Sequence, residues 1–113
     1  EAPAAEILKI LEESGLVPPL PAELQATPNH QAAYKFLART RQIIPLDPKV
    51  TLGGQIFQAT LDKVKDFIET NGQATASELR QHLNTSRKVI MPLLERLDRD
   101  KVTRREGDFR TLI

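Results

Sequence analysis

The C-terminal segment, residues 75–112, constrains the fold more than any other part of the chain. A short run with helical spacing, residues 77–83, is followed by the polar residues Asn84-Thr85-Ser86 and then by a longer amphipathic run. Two β-like runs then flank the turn Glu106-Gly107-Asp108. Polar caps precede helices, and a glycine turn often joins paired strands, so the pattern predicts helix, turn, helix and β-hairpin in that order.

The same order of elements is indicated earlier in the chain, before the pair Gly53-Gly54. The predicted elements there are a helix over 3–14, a short helix over 22–25, a helix over about 30–41 and a hairpin over 42–52. A long helix, about 55–70, then opens the second half. We therefore predict a mainly α fold with small β-hairpins (α+β), built as tandem winged-helix domains, each a helix-turn-helix plus a wing. The predicted domains are residues 1–53 and 54–113.

The composition excludes several classes of protein. The chain has no cysteine and only two histidines, so neither a disulfide framework nor a zinc site is expected. No apolar run approaches the roughly 20 residues needed to span a bilayer, and the N-terminus shows no secretion signal. We expect a cytoplasmic monomer that makes no contact with membranes. Because the chain lacks an initiator methionine and begins within a helical pattern, we also expect it to be a fragment of a longer protein.

The sequence also lacks the motifs of common catalytic sites. It contains no glycine-rich phosphate loop, no G-x-S-x-G nucleophile motif and no spacing typical of metal ligands. Adjacent carboxylates such as Glu12-Glu13 are typical of a solvated helix face. We therefore expect this chain to be no enzyme and to hold no catalytic residues, no metal and no cofactor.

Charge is distributed unevenly between the two ends of the chain. Residues 80–110 carry nine basic and five acidic side chains, whereas residues 1–79 carry seven basic and ten acidic ones. A local basic excess attracts polyanions, so the C-terminal end is the candidate for nucleic-acid binding. The alternative is a solvated helix face with paired charges, which we favour for Arg96, Arg99 and Lys101.

The start of the third helix of the second half carries the strongest binding signal, on Thr85, Ser86, Arg87 and Lys88. A helix N-terminus offers unpaired N–H groups and a partial positive charge, and cations placed there oppose the helix dipole. Basic residues in this unfavourable position indicate an external anion, and we predict a phosphate. Ordinary capping by Thr85 or Ser86 is the alternative, and both can hold together.

The predicted wing supplies three further candidates, Arg104, Arg105 and Arg110. Neighbouring residues of a strand point to opposite faces, so at most one of Arg104 and Arg105 should share a surface with Arg110. Arginine can clamp phosphate with two hydrogen bonds or stack on an unpaired base. Ion pairing across the hairpin with Glu106 or Asp108 is the alternative.

The remaining polar positions carry weaker signals. Arg80 and His82, on the second helix of the second half, are secondary candidates. In the first half the third helix opens with Asn29-His30-Gln31-Ala32, and the hairpin turn Asp47-Pro48 has only Lys49 as a basic neighbour. We therefore expect the first half to be a spacer or docking module with little affinity for nucleic acid.

The C-terminal half resembles the end of the bacterial selenocysteine-specific translation elongation factor, over about residues 72–112 and more loosely over 1–71. The matching residues are Leu83, Ser86-Arg87-Lys88, Pro92-Leu93-Leu94-Glu95, Leu97-Asp98, Thr103-Arg104-Arg105, Gly107-Asp108 and Arg110. The chain departs from the family pattern at the proline-rich residues 17–21 and at Met91. The shape of the first module is therefore the least constrained by the resemblance.

The resemblance implies the last two of four winged helices appended to a GTPase. The last one would bind the messenger RNA stem-loop that recodes UGA as selenocysteine, through Ser86, Arg87, Lys88 and some of the wing arginines. GTP and Mg would bind the absent N-terminal domains of the parent protein. The ribosome and selenocysteinyl-tRNA would be partners through that parent.

Two other functions fit the same sequence. A DNA-binding transcription regulator would lay the third helix in the major groove and would need polar side chains along its exposed length. Here the basic residues concentrate at the start of that helix instead. A protein–protein interaction module with incidental charges would show no salt-sensitive affinity for nucleic acid.

Overall fold

The computed structural model describes residues 2–113, which form two compact units, one ending at Phe57 and the other beginning at Gln58. The boundary predicted at Gly53-Gly54 lies four residues earlier in the chain. Both glycines belong to the first unit and contact other residues of it. The Gly54 N–H donates to the Gln42 carbonyl over 2.9 Å, and Gly53 lies against Leu11.

The helices and strands occur in the predicted order and confirm the α+β fold class. The first unit contains α1 (Pro3–Ser14), a 3₁₀ helix (Pro21–Gln25), α2 (Pro28–Arg39), β1 (Ile43–Asp47) and β2 (Val50–Gly53). The elements that follow are α3 (Gly54–Asn71), β3 (Ala74–Thr75), α4 (Ala76–His82), α5 (Arg87–Arg99), β4 (Thr103–Glu106) and β5 (Phe109–Leu112). Among residues 2–113, no helix combines the length and apolar character needed to cross a membrane.

An aliphatic core holds the first unit together, with one or two side chains from most of its elements. Its buried members are Ile7, Leu11, Leu24, Leu37 and Ile43. Phe36 neighbours the buried Leu37 on α2, yet 46% of Phe36 is exposed. Its ring lies 5.7 Å from the Arg39 guanidinium, a cation–π contact at the surface that the turn spacing of α2 permits.

The core of the second unit is built mainly on α5. Buried side chains from α5, α3 and α4 include Val89, Ile90, Leu93, Leu94, Leu97, Val64, Ile68 and Leu79. The three strands form an antiparallel sheet in the order β3-β5-β4. Burial of the whole inner face of α5 holds its first turn and the β4–β5 wing on one framework.

Local sequence signals set where α4 and α5 begin. Thr75 and Glu78 form a capping box: the Glu78 N–H donates to Thr75 Oγ1 over 3.1 Å, and the Thr75 N–H donates to Glu78 Oε1 over 2.8 Å. After α4, Asn84 adopts a φ of 53°, a conformation that asparagine tolerates better than most residues. The Thr85 N–H then donates to the Arg80 carbonyl over 3.1 Å. This turn directs the chain into α5.

Candidate nucleic-acid interface

The first turn of α5 is open to an external acceptor. Ser86 occupies the N-cap position, yet its side chain makes no capping hydrogen bond within the described chain. Its carbonyl accepts hydrogen bonds from Val89 and Ile90. Arg87 and Lys88 are exposed, and their backbone N–H groups belong to the turn that no helical carbonyl can reach. Ser86 therefore caps by position only, and the exposed side chains of Arg87 and Lys88 lie beside it.

Two clefts adjoin this helix start and share Ala76, Ser77 and Arg87. The larger, of about 470 Å³, is also lined by Arg80, Ser86 and Ile90. The smaller, of about 220 Å³, is also lined by Thr75, Met91, Arg105, Asp108 and Arg110. Arg87 thus stands between the two clefts, and the smaller one brings the helix start and the wing together as the sequence predicted.

The register of the wing decides which arginine joins Arg87. Arg105 of β4 lies directly opposite Arg110 of β5, and directly opposed residues of an antiparallel pair project from the same face. Arg104 therefore projects from the other face, and its Nε lies 3.1 Å from Glu106 Oε2. The prediction that at most one of Arg104 and Arg105 shares a surface with Arg110 is confirmed, and that residue is Arg105.

The guanidinium of Arg105 is partly oriented by its own turn. Its Nε donates to the Gly107 carbonyl over 3.1 Å, and Gly107 supplies the positive φ of 63° on which this turn depends. The terminal nitrogens of Arg105 are not used in this bond. They are therefore available to a phosphate, which accepts hydrogen bonds from a guanidinium in pairs.

Arg110 requires a correction, because it does not present its charge to a ligand. It is 3% exposed. Its Nε and Nη2 donate to the Asp98 carboxylate over distances of 2.9–3.2 Å, and the Thr103 hydroxyl donates to the same carboxylate over 2.6 Å. A buried arginine needs such a partner, since an unpaired buried charge is strongly unfavourable. Arg110 anchors the wing to α5 and forms part of the cleft wall.

Three other polar residues, Arg96, Arg80 and His82, differ in their relation to the clefts. Arg96 forms an ordinary helix-face pair with Asp100, at 2.9 Å and a spacing of four residues, as the alternative interpretation held. Arg80 lies in the larger cleft. His82 is turned elsewhere on α4, where its ring centroid is 4.7 Å from that of Phe67. Of the two secondary candidates, only Arg80 joins the predicted site.

Asp98 and Thr103 are functional neighbours that the sequence analysis missed. Both appeared to be ordinary polar residues, one on a helix face and one at a strand start. The acid at the end of α5 and the arginine twelve residues later become partners only because β5 returns along the helix. The available signal was the strand period of two, which places the basic residue Arg110 on the same face of β5 as the apolar Leu112.

The comparison with known families gives a clear result for the second unit. The family model described as the winged helix of elongation factor SelB matches residues 66–112. The second unit is thus similar to a SelB winged-helix domain over that range. The resemblance found in the sequence is thereby confirmed, and the matched range contains every residue that lines the two clefts.

Two relatives extend the comparison beyond that range. The selenocysteine-specific elongation factor of Desulfomicrobium baculatum is 26% identical over 102 residues, which is 90% of this chain. The match covers 15% of that protein, so this chain spans a small part of the relative's length. The mRNA-binding domain of elongation factor SelB from E. coli, solved in complex with SECIS RNA, matches with a TM-score of 0.69 and 22% identity. That match covers 80% of this chain and 77% of the other, and it shows a shared fold.

Proposed function

We propose that this chain is the RNA-binding C-terminal part of a selenocysteine-specific translation elongation factor. Its second unit binds the selenocysteine-insertion hairpin of a messenger RNA. The parent protein, a cytoplasmic GTPase that uses GTP and Mg in other domains, then delivers selenocysteinyl-tRNA at a UGA codon on the ribosome. The first unit serves as a spacer or docking module.

The observation that carries this proposal is the meeting of Arg87 and Arg105 at one cleft beside the open N-terminus of α5. Guanidinium groups and backbone N–H groups are the donors that phosphate oxygens accept most strongly. Lys88, in the same turn, adds a third positive charge. Together they form a basic surface shaped for a nucleic-acid backbone.

The distribution of charge along α5 favours RNA over duplex DNA. A winged helix that reads DNA lays this helix along the major groove and presents polar donors over its exposed length. Here the exposed middle of α5 carries Glu95, whose carboxylate repels phosphate. The basic groups cluster at the helix start and the wing, where an unpaired loop base and its flanking phosphates can be bound from the end of the helix.

The relatives support the same assignment. The curated relative is a selenocysteine-specific elongation factor, and the structural neighbour is an mRNA-binding domain in complex with SECIS RNA. The matched family domain contains the whole basic cleft of this chain. A conserved role in binding the hairpin is the simplest function that joins these likenesses to the cleft.

A titration with three nucleic acids tests the proposal. The chain is added to a selenocysteine-insertion hairpin, to the same hairpin with altered loop bases and to duplex DNA, each at two salt concentrations. We expect tight binding to the first only, weakening as salt rises because phosphate contacts release counterions. Equal affinity for duplex DNA would overturn the translation function, and salt-independent binding would remove the phosphate contacts.

Matched substitutions on the two faces of the wing locate the contact. Arg87→Gln and Arg105→Gln should each weaken hairpin binding about tenfold, because each removes a charge-assisted hydrogen bond. Arg104→Gln removes the same charge from the opposite face, where Glu106 already pairs with it, and should change the affinity little. If all three variants bind alike, the cleft is not the site.

A further inference from the structure

The larger cleft gives Arg80 a place in a continuous basic surface. It shares Arg87, Ala76 and Ser77 with the smaller cleft. Arg87 therefore has Arg80 across one cleft and Arg105 across the other. Three arginines from α4, α5 and β4 are arranged in series, with Arg87 in the middle.

The position of Arg80 follows from helix geometry. Arg80 follows Ala76 by four residues and Ser77 by three, which places the three residues on one face of α4. The Arg80 carbonyl accepts the Thr85 N–H, so its backbone is tied to the turn that begins α5. Arg80 is half-buried, and no carboxylate among residues 2–113 lies within ion-pair distance of its guanidinium. Its charge is therefore not neutralised inside the protein.

The lining of both clefts suits a phosphodiester backbone better than a nucleobase. Their side chains are guanidinium groups, hydroxyl groups and aliphatic carbons, and none of the described lining residues is aromatic. Aromatic rings are the common stacking platform for single-stranded bases, and these clefts do not offer one among their described lining residues. Asp108 is the acid that lines the smaller cleft, and Arg87 and Arg105 outweigh its charge there.

We propose that Arg80, Arg87 and Arg105 form one phosphate track, on which successive phosphates of a single RNA strand bind across the two clefts. The track rests on the proposed function and extends it by adding Arg80 as a contact. It also sets the path of the strand, which runs from α4 past α5 to the wing. The strand is held by its backbone along this line. Base recognition is left to the exposed groups beyond its ends.

The slope of affinity against salt measures the track directly. Each phosphate neutralised adds roughly 0.7 to 0.9 to the slope of log K against log salt concentration. We expect three variants each to lower the slope for the hairpin by about that amount relative to the unsubstituted chain: Arg80→Gln, Arg87→Gln and Arg105→Gln. Arg80→Lys keeps the charge and should keep the slope, although its affinity falls with the loss of the second hydrogen bond.

Arg99→Gln is the matched control, because it removes one arginine charge from the far end of α5. Arg99 lies about 18 Å from Arg87 along the helix, beyond the screening length of roughly 10 Å at 0.1 M salt. We expect the slope for Arg99→Gln to equal that of the unsubstituted chain. An equal fall for Arg99→Gln and Arg80→Gln would overturn the track, since net charge alone would then set the slope.

The outcomes for this inference and for the proposed function are separable. Arg80→Gln could keep the slope of the unsubstituted chain while Arg87→Gln and Arg105→Gln lower it. In that case the track is wrong and hairpin binding stands. A fall of the same size for Arg80→Lys and Arg80→Gln also overturns the track, because the retained charge would then contribute nothing. If the unsubstituted chain does not prefer the hairpin over duplex DNA, the proposed function itself is rejected.

Discussion

Both units run helix, short helix, helix and hairpin, although the second adds the short strand β3, and they differ at the positions that form the basic cleft. Arg87 is the first residue of α5, and the first residue of α2 is Pro28. Arg105 is the third residue of β4, and the third residue of β1 is Pro45. Proline has neither a charge nor a backbone N–H. At these two positions the proposed phosphate-binding surface has arginine, and the first unit has proline.

The helix starts differ in the same sense. In the first unit Thr27 Oγ1 accepts the His30 N–H over 3.1 Å, and the His30 ring reaches the Glu6 carboxylate over 2.8 Å. The start of α2 is thus capped by a side chain of the protein itself. In the second unit Ser86 makes no such side-chain bond within the described residues, and Arg87 follows it. The second helix start thus lacks that side-chain capping bond and carries basic residues in its first turn.

The wings are fastened to the third helix by different chemistry at the same register. Thr51 lies opposite Pro45 in the first wing, as Arg110 lies opposite Arg105 in the second. Thr51 is buried and bonds the Tyr34 hydroxyl of α2. Arg110 pairs instead with a carboxylate of α5. A neutral hydrogen bond therefore does in one unit what an ion pair does in the other.

Breaking these two fastenings should give the largest difference between the units. Arg110→Met leaves the Asp98 carboxylate without its cation. Because Asp98 is partly exposed, we expect a loss of about 3 kcal/mol in the free energy of unfolding, at the low end for a broken buried ion pair. Thr51→Val removes a neutral hydrogen bond and should cost about 1 kcal/mol. Amide hydrogen exchange read by NMR reports each unit separately.

A double substitution identifies the source of the larger loss. Arg110→Met combined with Asp98→Leu removes both charges and fills the space with apolar atoms, so most of the stability should return. Thr103 then lacks an acceptor, which leaves a residual loss of about 1 kcal/mol. If the double variant is no more stable than Arg110→Met, packing and not the unpaired carboxylate determines the cost.

The helix caps should give the next largest difference. Thr27→Ala removes a side-chain acceptor from the start of α2 and should destabilise the first unit by about 1 kcal/mol. Ser86→Ala removes no capping bond and should leave the exchange rates of the second unit nearly unchanged. Equal losses in the two units would contradict the open helix start on which the phosphate site depends.

The smallest effects are expected where the two units are alike. Arg41 and Lys101 follow the third helix of each unit, and both have a φ of 63°. Glycine adopts this conformation without the penalty of a Cβ atom, although it also raises the entropy of the unfolded chain. Arg41→Gly and Lys101→Gly should therefore shift stability by less than about 1 kcal/mol, with the same sign in hydrogen-exchange measurements. Opposite signs would show that the two helix ends are not equivalent.

Local signals in the sequence were sufficient for the elements and for part of the site. Periodicity, the Thr75–Glu78 capping box and the glycine turns place the helices and strands close to their observed bounds. Strand alternation separates Arg104 from Arg105. These features depend on neighbours a few residues apart, which is the range over which a sequence pattern carries physical information.

Long-range partners were not predictable in the same way. The burial of Arg110 depends on the return of β5 along α5, which places a carboxylate beside it. The exposure of Phe36 reflects how wide a face of α2 the small core of the first unit can cover. Arg80 gains its position from a cleft between two helices. Each outcome is decided by packing between elements that are distant in sequence.

Backbone amide shifts recorded during a titration with the selenocysteine-insertion hairpin test the central claim most directly, because they follow both units in one sample. We expect the largest shift changes at Arg87, Lys88 and Arg105, with little change at Asn29 and His30, which occupy the corresponding helix start of the first unit. Changes concentrated at Asn29 and His30, with Arg87 and Arg105 unaffected, would contradict an RNA site in the basic cleft.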